Sequence, residues 1–234
     1  MQTPDFSNTR IAPFEGRRLP LPDGDLWVFG YGSLMWNPGF AVREARPARL
    51  FGYHRRLCLW SIHYRGTSRR PGLVLGLARG GSCNGMALRV ARAERHAVAA
   101  YLFKREMLNN AYRPAVKKVY LRGDDAAGDG AEVGDGETGS GGDGNNRGRG
   151  DGGGDGDDNG RGKIVEALTF LSKPEHPQFA PPLSIRDITA VVVGARGAGG
   201  RNRDYVLNTA RHLSAFDIER TEIHRVADNL RRMT

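Results

Sequence analysis

Residues 26–40 read LWVFGYGSLMWNPGF, an apolar run that breaks into a turn carrying two glycines. Leu26, Trp27, Val28 and Phe29 form a short, continuous stretch of β-formers, the pattern of a buried strand. Gly30 and Gly32 relax the steric limits on the backbone just where the strand ends, and Ser33 adds a hydroxyl. A strand that ends this way can present several consecutive backbone N–H groups on one side, which suits an anion or a developing oxyanion. The same pattern also serves as a purely structural turn, and the local sequence leaves both readings open.

Outward from this stretch the chain separates into strands and then helices. Residues 49–64, RLFGYHRRLCLWSIHY, read as one or two strands, followed by a turn at Arg65-Gly66-Thr67 and Pro71-Gly72. Leu73–Leu77 and Cys83–Val90 read as two further strands joined through Arg79-Gly80-Gly81-Ser82. From Ala93 the period changes: Val98, Tyr101, Leu102, Arg105 and Leu108 recur at helical spacing, which predicts a helix of about 16 residues. Val116–Leu121 and Lys163–Leu171 return to strand character and are expected to pair. Helices are predicted at about 184–195, 202–215 and 217–232, with Asn202 and Asp217 as N-caps. Strands first and helices last predict an α+β fold, a small mixed β-barrel with peripheral helices.

Two segments stand apart. Residues 1–24 hold Pro4, Pro13, Pro20 and Pro22 without the apolar centre of a secretory signal, and read as a flexible leader. Residues 123–162 contain 17 glycines, 11 acidic and 3 basic residues and almost nothing to bury. Such a tract cannot offset the entropy of ordering itself, and it reads as a disordered insertion within a single domain spanning 25–234. Its Gly-Asp pairs lack both the spacing of calcium-binding nonapeptides and the flanking helices of an EF-hand.

Composition narrows the function classes. The chain of 234 residues has a formal charge of +9, and the 123–162 tract is itself strongly acidic. Even so, the arginines are scattered, as at Arg55-Arg56, Arg69-Arg70 and Arg231-Arg232, and form no basic arm or stacking platform for nucleic acid. No apolar run approaches the roughly 20 residues that span a bilayer. Cys58 and Cys83 make neither a disulfide framework nor a zinc pattern, so a cytoplasmic location with both thiols buried on strands is expected. The six histidines show no ligand spacing, so no metal site is expected. Ser33 lies in YGSLM rather than in a G-x-S-x-G elbow, and Gly30-x-Gly32 lacks the third glycine of a dinucleotide loop. One further candidate is Glu106, in YLFKREML at the edge of the predicted inward stripe. Helix position alone allows either a solvated glutamate or a carboxylate against an apolar wall, whose pKa would rise toward neutrality.

Together, FGYGSLMWNPGF, FGYHRRLCLWSIHYRGT with PGLVLGL, the helix ending YLFKREM, HPQFAPPL and GARGAGGRNRDYVLNTARHL resemble the ChaC family of γ-glutamylcyclotransferases. The resemblance covers about residues 26–122 and 163–215 and is interrupted by the glycine–aspartate insertion. It implies a lyase that needs no metal and no cofactor and that cleaves glutathione to 5-oxoproline and cysteinylglycine. By position, Phe29, Gly30, Tyr31, Gly32, Ser33 and Leu34 correspond to the family's substrate-binding turn and Glu106 to its catalytic glutamate. Tyr112 and Tyr205 would border the pocket. Two alternatives stay open: a cyclotransferase for other γ-glutamyl amines, and a non-catalytic regulator binding a partner such as a cation transporter. The sequence carries no indication of oligomeric state.

Overall fold

The computed structural model describes residues 3–9, 21–107, 109–122 and 163–233. Five strands close into a barrel: β1 (Leu26–Gly30), β2 (Glu44–Ser61), β3 (Gly72–Val90), β4 (Tyr112–Leu121) and β5 (Ile164–Ser172), in the order β1-β3-β2-β4-β5. All neighbours are antiparallel except β1 and β5, which pair in parallel at Trp27↔Ala167 and Val28↔Leu168 and complete the ring. This is the mixed barrel that the strand-then-helix order predicts.

β3 differs from the two separate strands expected over 73–90, because the glycine pair between them does not reverse the chain. Gly80 and Gly81 adopt φ of +96° and +64° and form a bulge, opposite Gly52 at φ +81° in β2. The register slips there, between Phe51↔Ser82 and Tyr53↔Arg79, and the ladder continues through it. β2 likewise begins earlier than expected, at Glu44, since the polar segment EARPA alternates inward and outward with Ala48 buried.

β4 and β5 pair across the 123–162 segment, which lies outside the described residues. Val119↔Val165 and Val116↔Leu168 are in register, and the Leu121 N–H donates to the Lys163 carbonyl at 2.8 Å.

Helix α1 spans Arg95–Glu106, shorter than expected: residues 92–94 form a 3-10 turn ahead of it, and Asn110 at φ +54° turns the chain soon after Glu106. Val98 and Leu102 face the core as expected, whereas Tyr101 is exposed. Leu108 lies outside the described residues.

The C-terminal helices are α2 (Ile185–Gly194), α3 (Asn202–Ser214) and α4 (Glu222–Arg232). Neither expected N-cap serves as one. Asn202 is the first residue of α3 and fully buried, its amide reaching across to β3: Nδ2 donates to the Leu73 carbonyl at 2.8 Å and Oδ1 accepts from the Leu73 N–H at 2.7 Å. Asp217 sits at φ +54° in the linker before α4, which starts at Glu222 behind a capping box made by Thr221 and His224.

The helices bury Ile188, Val206, Leu213, Ile223 and Leu230 in one core shared with Val28, Leu75, Val98, Leu102 and Phe170 of the barrel and α1. Each such aliphatic side chain contributes about 1.5–3 kcal/mol on burial. Phe6 joins the same core, and its N–H donates to the Ser68 carbonyl at 2.9 Å. Cys58 and Cys83 are buried on β2 and β3, and burial pushes the Cys58 thiol up to about 11, so it stays protonated.

Candidate active site

The turn after β1 is built by close approach. A Cβ at Gly30 would lie 3.1 Å from Leu34 Cβ and 3.3 Å from the Met35 nitrogen, so glycine lets the chain fold back tightly over the strand end where a larger residue would force the neighbours to shift. Residues Ser33–Met35 then form a single 3-10 turn, closed by Met35 N–H to the Gly32 carbonyl at 2.9 Å and Asn37 N–H to the Ser33 carbonyl at 2.8 Å. The N–H groups of Gly32, Ser33 and Leu34 precede the first donors of this turn. Among the described residues they have no hydrogen-bond acceptor. Three consecutive donors left open on one turn form a site for negative charge.

Those donors share a cavity with Glu106. Tyr31, Gly32, Ser33, Leu34 and Glu106 line a small space of about 60 Å³, with Leu75 and Phe170 as apolar walls and Tyr112 and Tyr205 beside them. Two residues assigned to the turn by resemblance do not line it. Phe29 is fully buried beneath, its carbonyl accepting from Thr169 Oγ1 at 3.2 Å, and Gly30 acts through the close approach just described.

Glu106, the last residue of α1, has its side chain 20% exposed. Burial raises its carboxyl above the ordinary glutamate value, and the neighbouring Arg105 guanidinium opposes that rise. Burial also pushes the phenols of Tyr31 and Tyr112 well up and that of Tyr205 to about 12. All three therefore stay protonated and are fixed by backbone contacts: Tyr31 donates to the Phe170 carbonyl, Tyr112 to the Leu75 carbonyl, and Tyr205 accepts from the Leu75 N–H. Among the described residues Glu106 is the one acid lining this cavity, with its carboxyl held above the ordinary glutamate value by burial.

Arg105 was legible in the sequence only as part of the helical stripe. Its guanidinium ties α1 to the turn. Nε lies 3.2 Å from Glu106 Oε1, Nη2 donates to Ser33 Oγ at 2.9 Å, and Nη1 donates to the carbonyls of Asn37 at 2.8 Å and Pro38 at 3.1 Å. The acid and the donors are thus fixed relative to each other by one planar group.

The inner cavity opens to a cleft of about 900 Å³ that also touches Ser33, Glu106, Tyr112 and Tyr205. Arg65, Lys104, Arg105 and Arg211 line it, and Glu106 is its sole acid among the described residues. Lys104 and Arg211 are exposed and have no ion-pair partner among the described residues, while Arg65 lies over the Tyr205 ring. Among the described residues no three His, Cys, Asp or Glu side chains gather as metal ligands do, and no helix is long and apolar enough to cross a membrane.

The family described as ChaC-like protein matches residues 26–231, nearly the whole described domain. The chain belongs to the ChaC-like family. Its curated relatives include a protein of Escherichia coli strain K12 named glutathione-specific gamma-glutamylcyclotransferase, 29% identical over 191 residues that cover 82% of this chain and 66% of that protein. A fission-yeast protein of the same name is 28% identical, with 87% of this chain and 90% of that protein covered. The human glutathione-specific gamma-glutamylcyclotransferase 1 is 26% identical, with 88% and 79% covered. A crystal structure of a yeast gamma-glutamylcyclotransferase specific to glutathione superposes with a TM-score of 0.68 at 17% identity, covering 89% of this chain and 96% of that one. That likeness shows that this ChaC-like chain shares its barrel fold.

Proposed function

We propose that this chain is a lyase that cleaves glutathione to 5-oxoproline and cysteinylglycine. The observation that carries the reading is one cavity lined both by Glu106 and by Gly32, Ser33 and Leu34, whose N–H groups have no hydrogen-bond acceptor among the described residues. The names of the ChaC-like relatives supply the substrate.

In the proposed reaction the substrate's own α-amine attacks its γ-carbonyl. A C–N bond forms to close the five-membered lactam, and the C–N bond to cysteine breaks. No water is consumed and no enzyme nucleophile is required. Because both reactants belong to one molecule, the protein's task is to fold the γ-glutamyl chain into attack geometry, and the walls of Leu75, Phe170 and the three tyrosines suit that task. Glu106 takes the proton released by the attacking amine and returns it to the departing cysteine nitrogen. Its raised pKa suits it to both transfers. The open N–H groups meet the negative charge that develops on the γ-carbonyl oxygen or the substrate's α-carboxylate, each donor being worth about 3 kcal/mol in the transition state. Outside, the cationic cleft suits a leaving dipeptide that ends in a carboxylate.

The test is a substrate panel of glutathione, γ-glutamylalanine and an uncharged γ-glutamylamine, with 5-oxoproline followed by mass spectrometry. The expected result is release from glutathione at the highest kcat/KM of the three. Absence of 5-oxoproline from all three would overturn the reading.

A further inference from the structure

Behind the turn lies a buried cation that the reaction as described does not use. Arg55, on β2, is 8% exposed. Its Nε donates to the Tyr31 carbonyl at 2.5 Å, and its Nη2 donates to the Asn84 carbonyl at 2.6 Å and lies 3.9 Å from Met35 Sδ. None of the ion pairs among the described residues includes it. A buried guanidinium held by neutral carbonyls is costly, because desolvation is not repaid by an opposite charge.

The geometry of one peptide unit gives it a use. In a trans peptide the C=O and the following N–H point in opposite directions across the same plane. The Tyr31 carbonyl is drawn onto Arg55, so the Gly32 N–H of that unit must point away from Arg55. Gly32 lines the Glu106 cavity, whereas Arg55 lines a separate polar crevice of about 470 Å³ that shares no residue with it. The Gly32 N–H therefore points away from Arg55, and both residues of this peptide line the Glu106 cavity.

We propose that Arg55 is a positioning residue that acts through the Tyr31–Gly32 peptide, aiming the Gly32 N–H at the substrate's negative charge. Its positive charge, which has no ion-pair partner among the described residues, polarises the same peptide and strengthens that donor. A side chain at Gly32 would stand beside Leu75, which lines the cavity, its Cβ 3.7 Å from the Leu75 Cδ1. A lysine cannot replace the arginine, since one ammonium does not reproduce a planar fork that spans the Tyr31 and Asn84 carbonyls.

The inference rests on the cyclotransferase reading, and the experiment separates the two. Wild type, Arg55→Met and Arg55→Lys are assayed with glutathione for 5-oxoproline, with kcat/KM normalised to the folded fraction measured by circular dichroism. Arg55→Met is expected to lose about 10²-fold or more in kcat/KM per folded molecule, the loss typical of one oxyanion donor, and Arg55→Lys a smaller but clear loss. A purely structural role would lower Tm and leave kcat/KM per folded molecule unchanged. That result in Arg55→Met, or in Arg55→Lys should the methionine variant fail to fold, overturns the inference. A wild-type protein that makes no 5-oxoproline overturns the underlying reading instead.

Discussion

Glu106→Gln probes the proposed chemistry with little disturbance of the fold. The substitution keeps size and shape. Among the described residues the carboxylate's one ion-pair partner is Arg105 Nε at 3.2 Å, and the glutamine carbonyl oxygen can still accept from it. For a partly exposed pair the charge lost is worth less than about 1 kcal/mol. Stability shifts the other way. Burial holds the Glu106 carboxyl above its ordinary value, so the folded state binds its proton more tightly than the unfolded chain does. Stability therefore falls as pH rises from the ordinary glutamate value through the raised one, and above both the ionised carboxylate is a net cost that glutamine removes. The variant should melt at or above the wild-type temperature at neutral pH.

Its turnover should collapse. Glutamine can neither take the amine proton nor deliver one to the leaving nitrogen, and loss of a general acid–base group typically costs 10²–10⁴-fold, about 2.7–5.4 kcal/mol of barrier. The assay is 5-oxoproline release by NMR beside a thermal melt. A folded Glu106→Gln protein with more than about a tenth of wild-type kcat would refute the assignment.

Three other perturbations test separate parts of the account. Arg105→Met removes the charge that opposes the burial of Glu106, so the acid limb of the kcat/KM profile should move to higher pH; an unmoved limb would mean that the pair is not coupled. Reversing Lys104 and Arg211 together to glutamate should raise KM for glutathione about tenfold at low salt, with a smaller effect as salt is added and little effect on its C-terminal amide. Asn202→Ala strands the N–H and C=O of Leu73, both bonded to its amide, and should cost about 2–4 kcal/mol, read as a fall in Tm.

The sequence made the barrel legible where burial speaks locally. The run Leu26–Phe29, the paired stretches on either side of 123–162 and the apolar stripe through Val98 and Leu102 all follow from period and composition. It misled where a glycine has two uses. Gly80-Gly81 reads as a hairpin turn, yet positive φ at both serves a bulge in one long strand. It misled again at Asn202, whose amide finds a better partner across space in the Leu73 backbone than at its own helix end. The turn and Glu106 stood out through a chain of motifs rather than by spacing alone. Arg55 and Arg105 did not stand out, because among many scattered arginines nothing local marks the two whose forks reach carbonyls 24 and 68 residues away.

The most direct test of the central claim is product analysis of purified protein with glutathione in ¹⁸O-labelled water. Internal attack by the α-amine predicts equal amounts of 5-oxoproline and cysteinylglycine, with no label in the 5-oxoproline. Labelled glutamate in place of 5-oxoproline would identify water as the nucleophile and contradict the account.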